Sequence, residues 1–130
     1  MSEKLNVRYD VGSGEPLILL HGMFGDGTQW EKIANILKND FRVIVVDLLG
    51  HGKSPRPKNA TYSDKEHVES LNNTLEELGL RKNLTVVGYS MGGAVALAYA
   101  STYRHKVSEL YLISTPFYLT SEEMIPVDYE

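Results

Sequence analysis

Ser90 stands in Gly88-Tyr89-Ser90-Met91-Gly92-Gly93, between the apolar run Leu84 to Val87 and the small-residue stretch Ala94 to Ala100. A buried strand, a tight turn and a helix are expected there, with a hydroxyl on the turn. Glycine is required on both sides because strand and helix pass so close that a Cβ two residues from the serine would strike the other backbone. A serine in such a turn emerges at a helix N-terminus, beside N–H groups that have no partner inside the helix and can receive developing negative charge. The chemistry this suits is nucleophilic attack by the hydroxyl, with the developing negative charge received by those N–H groups. The competing reading is an ordinary helix N-cap serine.

Two more clusters of potentially reactive residues follow apolar runs. His21-Gly22-Met23-Phe24-Gly25 comes after Leu17-Ile18-Leu19-Leu20, and Asp47-Leu48-Leu49-Gly50-His51-Gly52-Lys53-Ser54 comes after Phe41 to Val46. With Leu110 to Ile113, these are the short continuous runs produced by parallel strands buried on both faces. An N-terminal strand around Leu5 to Tyr9 is joined to the first central strand by the turn Asp10 to Gly14. Thr28 with Glu31 reads as a capping box ahead of Trp30, Ile33, Ala34 and Leu37. Ser63 with Glu66 reads as another, ahead of Val68, Leu71, Leu75 and Leu78, with Gly79 as C-cap. Strand alternating with helix implies right-handed βαβ units and a parallel sheet covered on both faces. Such sheets place ligand sites at the carboxyl ends of their strands, where all three motifs and the long loop Gly50 to Thr61 fall.

Composition narrows the classes of function. The 130 residues carry a net charge of −4 and no basic face, so nucleic acid is not an expected partner. No apolar run has the length of a membrane span and the N-terminus lacks a signal-peptide core, so neither membrane association nor export is expected. The sequence has no cysteine, which removes disulfides and thiolate catalysis. A single domain over residues 1–130 is expected, cytoplasmic, with no metal and no cofactor.

Taken in order, the three motifs resemble the N-terminal part of the α/β-hydrolase family, from about Val7 to Pro116. The resemblance implies an α/β three-layer sandwich with a mostly parallel sheet, in truncated form. Phe41 to Val46, Leu17 to Leu20, Leu84 to Val87 and Leu110 to Ile113 would then lie side by side. It implies that Ser90 is the nucleophile, that the backbone N–H groups of Met23 and Met91 bind the oxyanion, and that Phe24 and Tyr89 contact substrate. The Ser90 hydroxyl is expected to face a pocket shared with Met23, Phe24 and Met91. His21, His51 and Asp47 take loop-ordering roles in this reading. His67 is placed on the polar face of its helix and His105 at the C-terminal end of the helix after Ser90, where the helix dipole accounts for it, so neither is read as a base for Ser90.

The family order is serine, acid, histidine, and no histidine follows His105. The acid and the histidine are therefore expected from outside this chain, as are two strands beyond Leu110 to Ile113, with a lid segment starting near Ser114 to Phe117. Two functions stay open. One is a serine hydrolase acting on a small carboxylic ester or related acyl compound. The other is a catalytically silent domain of the same fold that binds a small ligand or a protein. The bare edge at Leu110 to Ile113 and the apolar stretch Phe117 to Val127 are expected to support self-association or a complementing C-terminal fragment.

Overall fold

The computed structural model describes residues 3–115. Five strands and three α-helices alternate along them: β1 (Val7–Val11), β2 (Pro16–Leu20), a 3-10 turn (Gly27–Trp30), α1 (Glu31–Leu37), β3 (Arg42–Val46), α2 (Asp64–Glu77), β4 (Leu84–Tyr89), α3 (Met91–Thr102) and β5 (Val107–Ile113). The strands form one sheet in the order β1-β3-β2-β4-β5. Only β1 is antiparallel, pairing with β3, and the central order is the one the resemblance implied.

Side chains alternate between the two faces of each strand. Ile18, Leu20, Ile44, Val46 and Val86 point to one face, where Val68, Leu71 and Leu75 of α2 and Val95, Ala96 and Tyr99 of α3 complete the main core. Leu17, Leu19, Val43 and Val45 point to the other, against Ala34 of α1 with Trp30 and Leu37 packed around it. Coverage on that second face stops at β2. The register places Val87 beside Tyr111 and Tyr89 beside Ile113, and Tyr89, Tyr111 and Ile113 are all exposed. The expectation of a sheet covered on both faces thus holds over β2 and β3 but not, among the described residues, on the α1 side of β4 and β5. The stretch Phe117 to Val127 lies outside the described residues.

Helix punctuation follows the sequence in one case and departs from it in another. Ser63 accepts the Glu66 N–H, as a capping box requires, and the Glu66 carboxylate reaches back to the N–H groups of Thr61 and Tyr62. Gly79 follows α2 with φ +75°, the left-handed conformation that ends many helices. The box proposed for Thr28 and Glu31 does not form. Asp26 caps the 3-10 turn instead, accepting both the backbone N–H and the hydroxyl of Thr28, so the Thr28 side chain is spent as a donor.

His67 needs a correction as well. It is buried among the core-facing residues of α2, not on a polar face. Burial pushes its pKa down, and its Nδ1 has no partner among the described residues. The buried strip of α2 is wider than its leucines because Ser70 and Thr74 satisfy their hydroxyls on their own helix, donating to the carbonyls of His67 and Ser70.

Candidate active site

Ser90 has φ +53° and ψ −117°, between the last residue of β4 and the first of α3. Its side chain makes no capping bond, and its φ is far from the extended value of an N-cap residue, so the N-cap reading fails. A non-glycine residue held at such φ carries strain, which persists where the surroundings over-determine the turn. Ser90 N–H donates to the Ile113 carbonyl at 3.0 Å, and Ser90 C=O accepts from Gly93 N–H and from the Thr115 hydroxyl. The three glycines are dictated by contact. A Cβ on Gly88 would lie 2.5 Å from Gly93 Cα, one on Gly92 would enter the Leu20 and His21 carbonyls, and one on Gly93 would overlap Thr115.

Across from the elbow, the residues after β2 form a turn closed by Gly25 N–H donating to Gly22 C=O at 3.2 Å. Phe24 sits in it at φ +63°. A Cβ added at Gly22 would come within 3.0 Å of the Tyr89 ring and 3.5 Å of Ser90 Cβ, so the turn and the elbow lie against each other. His21 is fully buried beneath them. Its Nε2 accepts Leu48 N–H at 2.9 Å, which fixes the neutral tautomer, and Nδ1–H then donates to Gly22 C=O at 2.7 Å. Burial also pushes its pKa down. With both ring nitrogens occupied, His21 orders the turn and cannot take a proton from Ser90.

This bond has a consequence for the next amide. Gly22 C=O and Met23 N–H belong to one planar trans peptide and point in opposite directions. Anchoring the carbonyl on the buried imidazole therefore turns Met23 N–H away from the interior. Neither Met23 N–H nor Met91 N–H finds a backbone partner among the described residues. Among the described residues, then, both donors named from sequence are unspent.

The pocket differs from the expectation. The cleft beside the elbow, about 440 Å³, is lined by Gln29, Trp30, Ile33, Tyr89 and Ile113. Tyr89 belongs to it, but neither Ser90 itself nor Met23, Phe24 or Met91 lines it. Phe24 is 93 % exposed, because its place at the turn corner throws the ring into solvent. Met91 packs its side chain against the main core. Trp30 and Ile33 escaped sequence reading because they looked like one face of an amphipathic helix, and Gln29 carries no motif.

Asp47 holds the floor of the site. Its fully buried carboxylate accepts from the N–H groups of Gly27 and Lys53 and from the Asn6 and Arg8 side chains. Burial alone would raise its pKa, but these donors outweigh it and hold the carboxyl at about 2. Ionised Asp47 therefore stabilises the fold above the ordinary carboxyl value of 3.8, and that contribution is lost as pH falls towards 2. Asp47→Asn should cost about 3 kcal/mol in denaturant unfolding at pH 7, with a much smaller difference from wild type near pH 2. An equal difference at both pH values would show that the charge is not what matters.

Among the described residues, no hydrogen bond joins His51 or His105 to Ser90. His51 Nδ1 is bonded to the Leu49 carbonyl within its own turn. His105 lies past the far end of α3, about 18 Å from Ser90 along a helix of twelve residues. No helix among the described residues is long and apolar enough to cross a membrane.

A strained serine between a parallel strand and a helix, faced by a second turn carrying an unspent amide, defines an α/β protein of the nucleophile-elbow class. The family model described as "alpha/beta hydrolase fold" matches residues 15–129, and the chain belongs to that family. It is 39% identical over 103 residues to "Lipase 1" of Psychrobacter immobilis, covering 79% of this chain and 32% of the relative. It is 38% identical over 106 residues to "Lipase 3" of Moraxella sp. (strain TA144), covering 82% and 33%. Among solved structures, a thermophilic esterase from Thermogutta terrifontis superposes with a TM-score of 0.81 at 36% identity, over 86% of this chain and 40% of that one. The chain spans about a third of the length of these two curated relatives.

Proposed function

We propose that this chain is the nucleophile-bearing part of a serine hydrolase that acts on a small carboxylic ester or related acyl compound. The observation that carries the reading is the Ser90 backbone, held at positive φ with its hydroxyl free of any capping role. The relatives named as lipases and esterases support the hydrolase class. Ser90 Oγ attacks the acyl carbon, and the carbonyl oxygen becomes an oxyanion held by Met23 N–H and Met91 N–H. The serine proton passes to a histidine outside these residues and then to the departing alcohol as its C–O bond breaks. Water repeats the sequence on the acyl-serine and frees the acid. Tyr89, Trp30 and Ile33 give the acyl substrate an apolar wall.

The edge of β5 is the place where the missing part joins. Its outer backbone groups are unpaired by any described strand, and Tyr111 and Ile113 stand exposed on the bare face. Mixing the 130-residue chain with a C-terminal fragment of an esterase relative that carries the acid and histidine should give a 1:1 complex by sedimentation and make p-nitrophenyl butyrate turnover appear. A complex that forms and stays inactive favours a silent binding domain. No complex at micromolar concentration removes β5 as the joining edge.

A further inference from the structure

We propose that Gln29 is a positioning residue for the turn that carries Met23 N–H, a role that rests on the reading of Ser90 as nucleophile. Gly22 N–H donates to Gln29 Oε1 at 3.0 Å, across seven residues of chain. The same side chain lies over Gly25, where an added Cβ would come within 2.8 Å of Gln29 Nε2 and 2.9 Å of Cδ. A side chain at position 25 would displace the Gln29 amide from this place, and the glutamine spans the turn from Gly22 to Gly25.

Two successive peptide planes are fixed in this way. The His21–Gly22 plane is held through its N–H by Gln29 and through its carbonyl by the close approach of α3 at Gly92. The Gly22–Met23 plane is held through its carbonyl by His21 Nδ1–H and Gly25 N–H. Removing the glutamine acceptor frees the first plane to rotate, and the second follows because they share Gly22 Cα. Glycine offers the least resistance to that rotation. Phe24, already at φ +63°, gives the turn an incentive to relax once it is released. A donor that drifts loses much of its value to an oxyanion, since such stabilisation depends on placement before the charge appears.

Gln29 also lines the cleft, so its two roles must be separated. The test uses the complemented protein with Gln29→Met, which keeps length and loses the acceptor, and Gln29→Glu, which keeps an acceptor oxygen. Gln29→Met should lower kcat by on the order of tenfold, equally on acetate and octanoate esters, with faster hydrogen exchange at the Gly22 amide. Gln29→Glu should restore most of both. A loss confined to the octanoate ester would make Gln29 a cleft wall and overturn the proposal, as would full activity in Gln29→Met. Failure of the wild-type complex to show Ser90-dependent turnover would instead refute the nucleophile reading and take this proposal with it. Gln29 is exposed. Should Gln29→Met still fold poorly, Gln29→Ala is read by the same pair of esters and the same amide.

Discussion

Ser90→Ala should reduce ester turnover by the complemented protein by three orders of magnitude or more while leaving its stability within about 0.5 kcal/mol of wild type. The two halves of this expectation have separate causes. Activity falls because the hydroxyl that forms the acyl intermediate is gone, while the neighbouring Thr115 hydroxyl is turned to the Ser90 and Ile113 carbonyls, and the Met23 and Met91 amides retain only the part of catalysis that needs no nucleophile. Stability holds because the Ser90 hydroxyl makes no capping bond, and alanine at φ +53° bears much the same strain as serine. The 130-residue chain alone should turn over p-nitrophenyl acetate far more slowly than the complex, since a serine without a positioned base keeps its proton near neutral pH. Efficient turnover by the chain alone, abolished by Ser90→Ala, would mean that a base lies among these residues. It would not be His21, whose ring nitrogens are both engaged. Activity that survives in the Ser90→Ala complex would remove Ser90 from the chemistry altogether.

Gly88→Ala and Gly92→Ala should each destabilise the chain by about 3 kcal/mol or more, enough to leave little soluble protein at 37 °C. In both cases the added methyl meets backbone, which has no rotamer to give way. At Gly88 it meets the carbonyl of Gly92 and the Cα of Gly93, and at Gly92 the carbonyls of Leu20 and His21. Gly79→Ala is the control. Its Cβ would meet nothing within 4 Å, so only the cost of φ +75° remains, about 1 kcal/mol. Urea unfolding of the three variants gives the ranking directly. Equal losses at all three positions would show that the close approach at the elbow is not a constraint on stability.

The parts of the fold written in continuous apolar runs were legible from sequence. Leu17 to Leu20 and Phe41 to Val46 form strands buried on both faces, which is what so many adjacent aliphatic residues require, and Leu84 to Val87 carries the same signature although one of its faces is only half-covered. β5 was read short because Val107 and Glu109 pair with β4 across an irregularity at Ser108, while Val107 is only half-buried and Ser108 and Glu109 are exposed, and pairing without burial leaves no apolar signature. His67 was misplaced for the opposite reason, a polar side chain inside a buried strip. The elbow could be read because its glycines encode a steric requirement that few other structures impose. The cleft could not, since Gln29, Trp30, Ile33, Tyr89 and Ile113 meet only after the chain has crossed the sheet. Gln29 carries no motif at all, and its significance is the bond to Gly22, which no spacing announces.

The seam at Gly92, where the first turn of α3 rests on the carbonyls of Leu20 and His21, divides the molecule as well as joining it. β1, β3 and β2 bring the turn that carries Met23 N–H, whereas β4, α3 and β5 bring the serine, and the two groups meet where β2 lies against β4 and where α3 rests on the end of β2. An excursion that parts these strands abolishes the site as a unit, without requiring α1 or α2 to melt. Functional lifetime is then governed by the opening frequency of one internal joint, not by the global unfolding free energy. Stabilising changes confined to either half leave that lifetime where it was, whereas those that bridge the joint lengthen it.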